Sequence, residues 1–220
     1  CDDNDVLFIC DEVLSGCGRT GTWAAIEHFG ALPDIMTLGK GLSGGTVPLS
    51  AVVATKKILD PIASGSGALK HAQTFSHCPS ICSAGLAAVR YIKAHDLVSR
   101  SAAMGAVLQR KLSALRDAAC VGDVRGLGLL AGVEFVADKK TKAPFPRSLA
   151  FAETVVNVAR DEGLILWANT GHADGVNGDL VMVAPPFIIT EAEIDEIVAR
   201  LTTALKRAQE TIHVRRPGVL

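Results

Sequence analysis

Two short apolar runs that break off on charged residues constrain this chain more than any other feature. Val6-Leu7-Phe8-Ile9-Cys10 stops at Asp11-Glu12, and Ile35-Met36-Thr37-Leu38, introduced by Pro33-Asp34, stops at Gly39-Lys40-Gly41. An apolar run of this length without alternation reads as a strand; the first is expected to be buried on both faces, as in a parallel sheet layered with helices. The residues just past each run then stand at the carboxyl edge, where open α/β sheets place their ligand sites. Between the runs lies a loop with Gly16, Gly18 and Gly21 around Arg19 and Thr20, then a helical turn from Trp23 to Phe29 ended by Gly30. Ser43, Gly44 and Gly45 extend the second loop, and a third strand is expected over residues 49–54. Ser64-Gly65-Ser66-Gly67 reads as a surface loop, and an Ala-rich helix starts after Pro79.

Composition changes near His95-Asp96. Beyond it, residues 97–118 are amphipathic, with Leu108, Leu112 and Leu115 on one stripe. Arg125-Gly126-Leu127-Gly128 opens a strand that runs through residues 129–136. A helix over 148–162, strands over 164–167 and 180–183, and a last helix capped by Thr190 complete the pattern. Glu191 and Glu193 occupy the first turn of that helix, where its dipole favours anions. The expected fold is therefore α/β, with residues 1–95 forming part of a larger α/β domain and 96–220 a smaller α+β domain.

With 49% hydrophobic residues in 220, the chain can bury a substantial core. Lys and Arg number 22 against 23 Asp and Glu, and no long basic run breaks the balance, so there is no electrostatic footprint for nucleic acid. The six cysteines show no paired framework. Cys78 and Cys82, near His71 and His77, lack the second ligand pair that a metal site needs, so no metal is expected. Reduced thiols in a cytoplasmic protein are the plain reading. No stretch has membrane-spanning length and no signal peptide is evident. The chain lacks an initiator methionine and enters an apolar strand almost at once, which suggests a fragment, a split gene product or a chain made without its amino-terminal part.

Asp11 and Lys40 are the informative pair. Either one alone would more often be a surface or capping residue. In order along the chain, however, come Asp11-Glu12-Val13, Gly16-Cys17-Gly18-Arg19-Thr20-Gly21, Pro33-Asp34-Ile35, Gly39-Lys40-Gly41 and Pro48-Leu49. His71-Ala72-Gln73-Thr74-Phe75 with Pro79, Gly132-Val133-Glu134 and Ala184-Pro185-Pro186 follow. This series resembles the class III (omega and acetylornithine-type) aminotransferases, over nearly the whole chain and to about residue 207.

The resemblance implies the carboxyl-terminal half of a fold-type I pyridoxal-phosphate (PLP) transferase: part of the large sheet domain plus the small domain. It implies amino transfer from an amine donor to an oxo acid by Schiff-base exchange at Lys40, the catalytic residue. It also implies a homodimer or higher assembly. Asp11 would keep the cofactor's pyridine nitrogen protonated, Val13 would pack on the ring, and Thr74 would donate to the cofactor phosphate across a subunit boundary. The flanking Gly39 and Gly41 leave room for close approach.

Three departures qualify this picture. Ser76, His77 and Cys78 differ from the family's usual run before the proline, and His77 reads as a surface histidine. Met182 stands where relatives acting on alpha-amino acids carry an arginine, so bidentate carboxylate binding is lost there and an omega-amine substrate is favoured. Asn169-Thr170-Gly171-His172-Ala173-Asp174-Gly175 falls where relatives build part of the substrate region. Relatives also carry roughly one domain before the position of Val6, including a phosphate cradle and an aromatic residue that stacks on the ring. Arg19 reads as a loop tie, and Arg125 as the weaker anion candidate. A PLP aminomutase of the same fold, or a non-catalytic interaction fragment, remain the alternatives.

Overall fold

In the computed structural model, which describes residues 1–215, the chain packs as two units, Cys1–Ser101 and a second beginning at Ala102. The division falls within one helix, a little beyond the change in composition at His95-Asp96.

The first unit holds a three-stranded sheet in the order β1 (Ile9–Asp11), β2 (Ile35–Leu38), β3 (Ala51–Ala54). β1 and β2 run parallel, with Ile9 opposite Ile35 and Asp11 opposite Thr37, and β3 is antiparallel to β2. Asp34 pins the start of the parallel pair: its Oδ2 accepts from Phe8 N at 2.9 Å, and its own N–H and that of Ile35 reach Phe8 O. The Phe8 amide bond to Oδ2, with Lys57 nearby, holds the Asp34 carboxyl below its ordinary range. Helices α1 (Lys56–Ser64), α2 (Pro79–Ala94) and α3 (Leu97–Leu112) follow. α2 starts at its proline, whose missing N–H would be unpaired there anyway. α1 was not expected, because Pro61 lies inside it and argues against a helix interior.

The first run departs from expectation. Only Ile9–Asp11 is strand, Ile9 is 57% exposed, and Val6 and Leu7 lie open beside it. β1 has a neighbour on one side only, and the described residues supply too little to cover its faces. The apolar pattern of a doubly covered strand is present without both covering layers.

The second unit is a four-stranded antiparallel sheet, order β4-β5-β7-β6, with helices on one face. The expected single strand after residue 125 is a hairpin of β4 (Val121–Leu127) and β5 (Leu130–Phe135), which turns through Gly128 at φ 54°. Gly122, Asp123, Arg125 and Gly126 dilute the apolar signal of β4. α3 crosses directly over this turn: a Cβ on Gly105 would fall 2.3 Å from the Gly128 Cα. α4 (Phe151–Asp161) closes at Gly163, where Leu164 N returns to Ala159 O at 2.7 Å. Leu164 is thereby spent on ending the helix, and β6 (Trp167–Asn169) starts later than its apolar residues suggest.

β7 (Asp179–Val183) alternates strictly, so Val181 and Val183 join Ala131, Val133 and Phe135 under the helices. Phe151 stacks on Phe145 at 4.2 Å and meets Phe135 edge-on at 5.2 Å. α5 (Glu191–Arg215) opens on the expected cap: Glu193 N donates to Thr190 Oγ1 at 3.3 Å, and Thr190 N to Glu193 Oε2 at 2.7 Å.

Candidate active site

Asp11 ends β1 and Lys40 lies just past β2, so the parallel pairing brings both to one edge of the sheet. Neighbouring strands are about 4.8 Å apart, which places Asp11 against the strand that delivers Lys40. Asp11 is exposed but directed: its Oδ1 accepts from Thr37 Oγ1 at 3.2 Å and from Val13 N at 3.0 Å. Its Oδ2 has no partner among the described residues. Lys40 opens a short 3-10 turn, Lys40–Ser43, with φ 41°, a left-handed conformation that costs a side-chain-bearing residue roughly 1–2 kcal/mol. Such strain collects at functional sites. The Lys40 ammonium is exposed and has no ion-pair partner among the described residues.

The turn after β1 is built on Glu12, which is 2% exposed. Ser15 Oγ donates to its Oε2 at 2.7 Å and Ile26 N to its Oε1 at 2.8 Å. Burial first, and then the Glu12 charge, push the Cys17 thiol up. Burial also lowers the Arg19 guanidinium, and Ser101 Oγ donates to the Arg19 carbonyl at 3.1 Å, so this arginine sits in a fixed loop. Glu12, Ser15 and Thr37 were not singled out from sequence. The Glu12–Ser15 spacing was visible there, but the Thr37 partnership depends on strand register.

The remaining candidates divide. Thr74 lies in an exposed turn, residues 74–77, and its hydroxyl has no hydrogen bond among the described residues. Arg125 is engaged by Glu134 and, at 3.2 Å, by Asp123, and the Glu134 contact chiefly holds its guanidinium above its ordinary range. Met182 sits on the open face of the second sheet, opposite Gly132 on one side and Trp167 on the other. In the loop 169–178 the Asp174 carboxylate turns inward, accepting from Val176 N, Asn177 N and Asn177 Nδ2 at 2.7–2.9 Å. Among the described residues no group of three or more His, Cys, Asp or Glu is placed to hold a metal, and no helix is long and apolar enough to cross a membrane.

The donor set at the first sheet edge fits an aldehyde cofactor with a basic aromatic ring. Among the described residues the amine has no ion pair and the carboxylate keeps one oxygen open, and the lysine is flanked by two glycines. A Cβ on Gly39 would come within 3.3 Å of Val13 Cγ1, and one on Gly41 within 3.1 Å of Cys17 Cβ. Asp11, Val13 and Lys40 are thus the residues that would hold such a group.

The family model for aminotransferase class-III matches residues 1–205. The chain is 40% identical over 213 residues to the uncharacterized aminotransferase YodT of Bacillus subtilis, covering 96% of this chain and 48% of that protein. It is 38% identical over 208 residues to the omega-aminotransferase of Caulobacter vibrioides, covering 93% and 44%. The solved structure of a transaminase from the marine bacterium Virgibacillus superposes with a TM-score of 0.89 at 33% identity, covering 96% and 47%. The chain spans about half the length of the curated relatives it matches, and its mixed α/β fold is that of the corresponding part of the fold-type I transaminases. With its matching motifs in order from Asp11 to Pro186, this chain belongs to the class-III aminotransferase family.

Proposed function

We propose that the complete protein transfers an amino group from an omega-amino donor to an oxo acid, with pyridoxal phosphate held covalently by Lys40. The observation that carries this reading is the placement of Asp11 and Lys40 at the carboxyl ends of paired parallel strands, with Asp11 accepting from Thr37 of the strand that leads to the lysine. When bound, the cofactor supplies the electron sink that makes a proton on the amine-bearing carbon removable.

The chain's residues do the rest. Asp11 commits Oδ1 to Thr37 and Val13, and its Oδ2, which has no partner among the described residues, would hold a proton on the ring nitrogen. The Lys40 amine would hold the cofactor aldehyde and, when free and neutral, would carry the proton to and from the amine-bearing carbon. Val13, half-buried beside Gly39, would pack on one face of the ring. Thr74 donates to the phosphate of a second subunit's cofactor, so the active assembly is at least a homodimer.

Met182 in place of a guanidinium supports donors without a carboxylate beside the amine, and the omega-aminotransferase name of the Caulobacter relative agrees. The free cysteines suit a reducing compartment, the cytoplasm. Borohydride reduction of the cofactor-loaded protein followed by peptide mapping tests the reading. The pyridoxyl label is expected on Lys40; label chiefly on Lys56, Lys57 or Lys70 refutes it.

A further inference from the structure

We infer that Glu12 is a positioning residue, a buried carboxylate that aims Asp11 and Val13 at the cofactor by tying the turn after β1 to two other segments. This rests on the cofactor reading above. Four hydrogen bonds meet in this one residue. Its N–H donates to Thr37 O at 2.9 Å, and its carbonyl accepts from Gly16 N at 3.0 Å. Its two carboxylate oxygens take Ser15 Oγ at 2.7 Å and Ile26 N at 2.8 Å. The backbone between Asp11 and Val13 is thereby fixed to β2, to its own turn, and to the helical turn Ala25–Phe29. The packing leaves no slack: a Cβ on Gly16 would lie 2.8 Å from the Glu12 carbonyl oxygen.

A carboxylate is a costly way to fill a buried position. Replacing buried charge by apolar groups of similar volume is often neutral or stabilising. What a carboxylate adds is two acceptors in a fixed plane, which satisfy an amide from a segment fourteen positions away and a hydroxyl in the same turn. Those bonds set direction. Asp11 precedes Glu12 and Val13 follows it, and the Val13 N–H closes back onto Asp11 Oδ1 at 3.0 Å. Loosening the Glu12 tie therefore loosens the aim of the Asp11 carboxylate before it unfolds anything.

The test uses the complete cofactor-loaded protein and the pH titration of the bound cofactor's visible absorption, which follows the proton on the lysine-linked nitrogen and shifts with the charge held at the ring nitrogen. Glu12→Ala should move the midpoint in the direction that Asp11→Asn moves it, by about 0.5 pH unit, roughly threefold in the protonation equilibrium. Glu12→Gln, which can accept from Ile26 N and donate to Ser15 Oγ, should restore most of the shift. In the Asp11→Asn background, Glu12→Ala should add nothing, because the carboxylate it aims is gone. Amide exchange at Val13 should quicken in Glu12→Ala even without cofactor.

If Glu12→Ala fails to fold, Ser15→Ala removes one arm of the tie and carries the same expectations at smaller size. An unmoved midpoint with Lys40 still labelled by borohydride, or shifts that add in the double variant, overturns this inference alone. Absence of label on Lys40 overturns the cofactor reading and this inference with it.

Discussion

Replacing Asp11 by Asn separates the charge of this residue from its geometry. Asparagine keeps the oxygen that accepts from Thr37 Oγ1 at 3.2 Å and from Val13 N at 3.0 Å, so the turn keeps its shape. The side chain is exposed, and its loss of charge should change folding stability by no more than about 0.5 kcal/mol. The open Oδ2 becomes an amide that cannot hold a proton on a ring nitrogen. Preorganised groups of this kind contribute about 2.7–4 kcal/mol to a barrier, and 3 kcal/mol corresponds to roughly 150-fold in rate. The variant should therefore take the borohydride label on Lys40 as wild type does, melt at nearly the same temperature, and lose about 100- to 1,000-fold in kcat. Single-turnover assays with amine donor and oxo acid, alongside thermal denaturation, measure both quantities. Turnover within about threefold of wild type refutes the ring-nitrogen role. A large drop in Tm with proportionate loss of label would instead make Asp11 a structural tie.

Lys40→Gly and Lys40→Ala should both abolish cofactor attachment, but the glycine variant should be the more stable by about 1 kcal/mol in urea denaturation, because φ 41° penalises a Cβ; the reverse order would show that the left-handed turn is not held. Thr74→Ala in the complete protein should weaken retention of the cofactor on gel filtration while leaving Lys40 able to take the label, and a fully active monomer would remove the cross-subunit role. Asp179, buried at the start of β7, accepts from Ala152 N at 2.9 Å through Oδ2, while its Oδ1 has no hydrogen-bond partner among the described residues. Burial raises its carboxyl above the ordinary value, outweighing the Ala152 amide and Arg147. The stability this contributes is complete below the ordinary range near about 4 and is lost as pH rises through the raised value. Asp179→Asn should accordingly raise Tm relative to wild type at neutral pH, with the gap closing in acid; a gap that widens in acid contradicts the burial argument.

Much of the site was legible because its signals are local. The run ending at Lys40, the glycines beside the lysine and the Thr190 cap all lie within a few residues of what they do, and the structure forms them where the pattern says, while the run ending at Asp11 is strand only over its last part. Pairing could not be read that way. The grip of Thr37 on Asp11 requires a parallel register between segments twenty-six positions apart, and the reach of Glu12 to Ile26 requires the intervening loop to fold back. β4 was hidden because its glycines serve close packing and turning: a Cβ on Gly126 would meet Leu130 O at 2.2 Å, a constraint imposed by the hairpin partner.

The sequence by itself determined most of the element types, though not α1 or β4, the carboxyl-edge placement of Asp11 and Lys40, and the motif order that marks the family, since apolar periodicity and turn chemistry act over short spans. Only the tertiary structure decided which oxygen of Asp11 stays open, that Lys40 sits in a left-handed turn, and that Glu12 is buried with both oxygens engaged. Those outcomes depend on which distant backbone groups arrive beside each side chain, and that is set by packing and register.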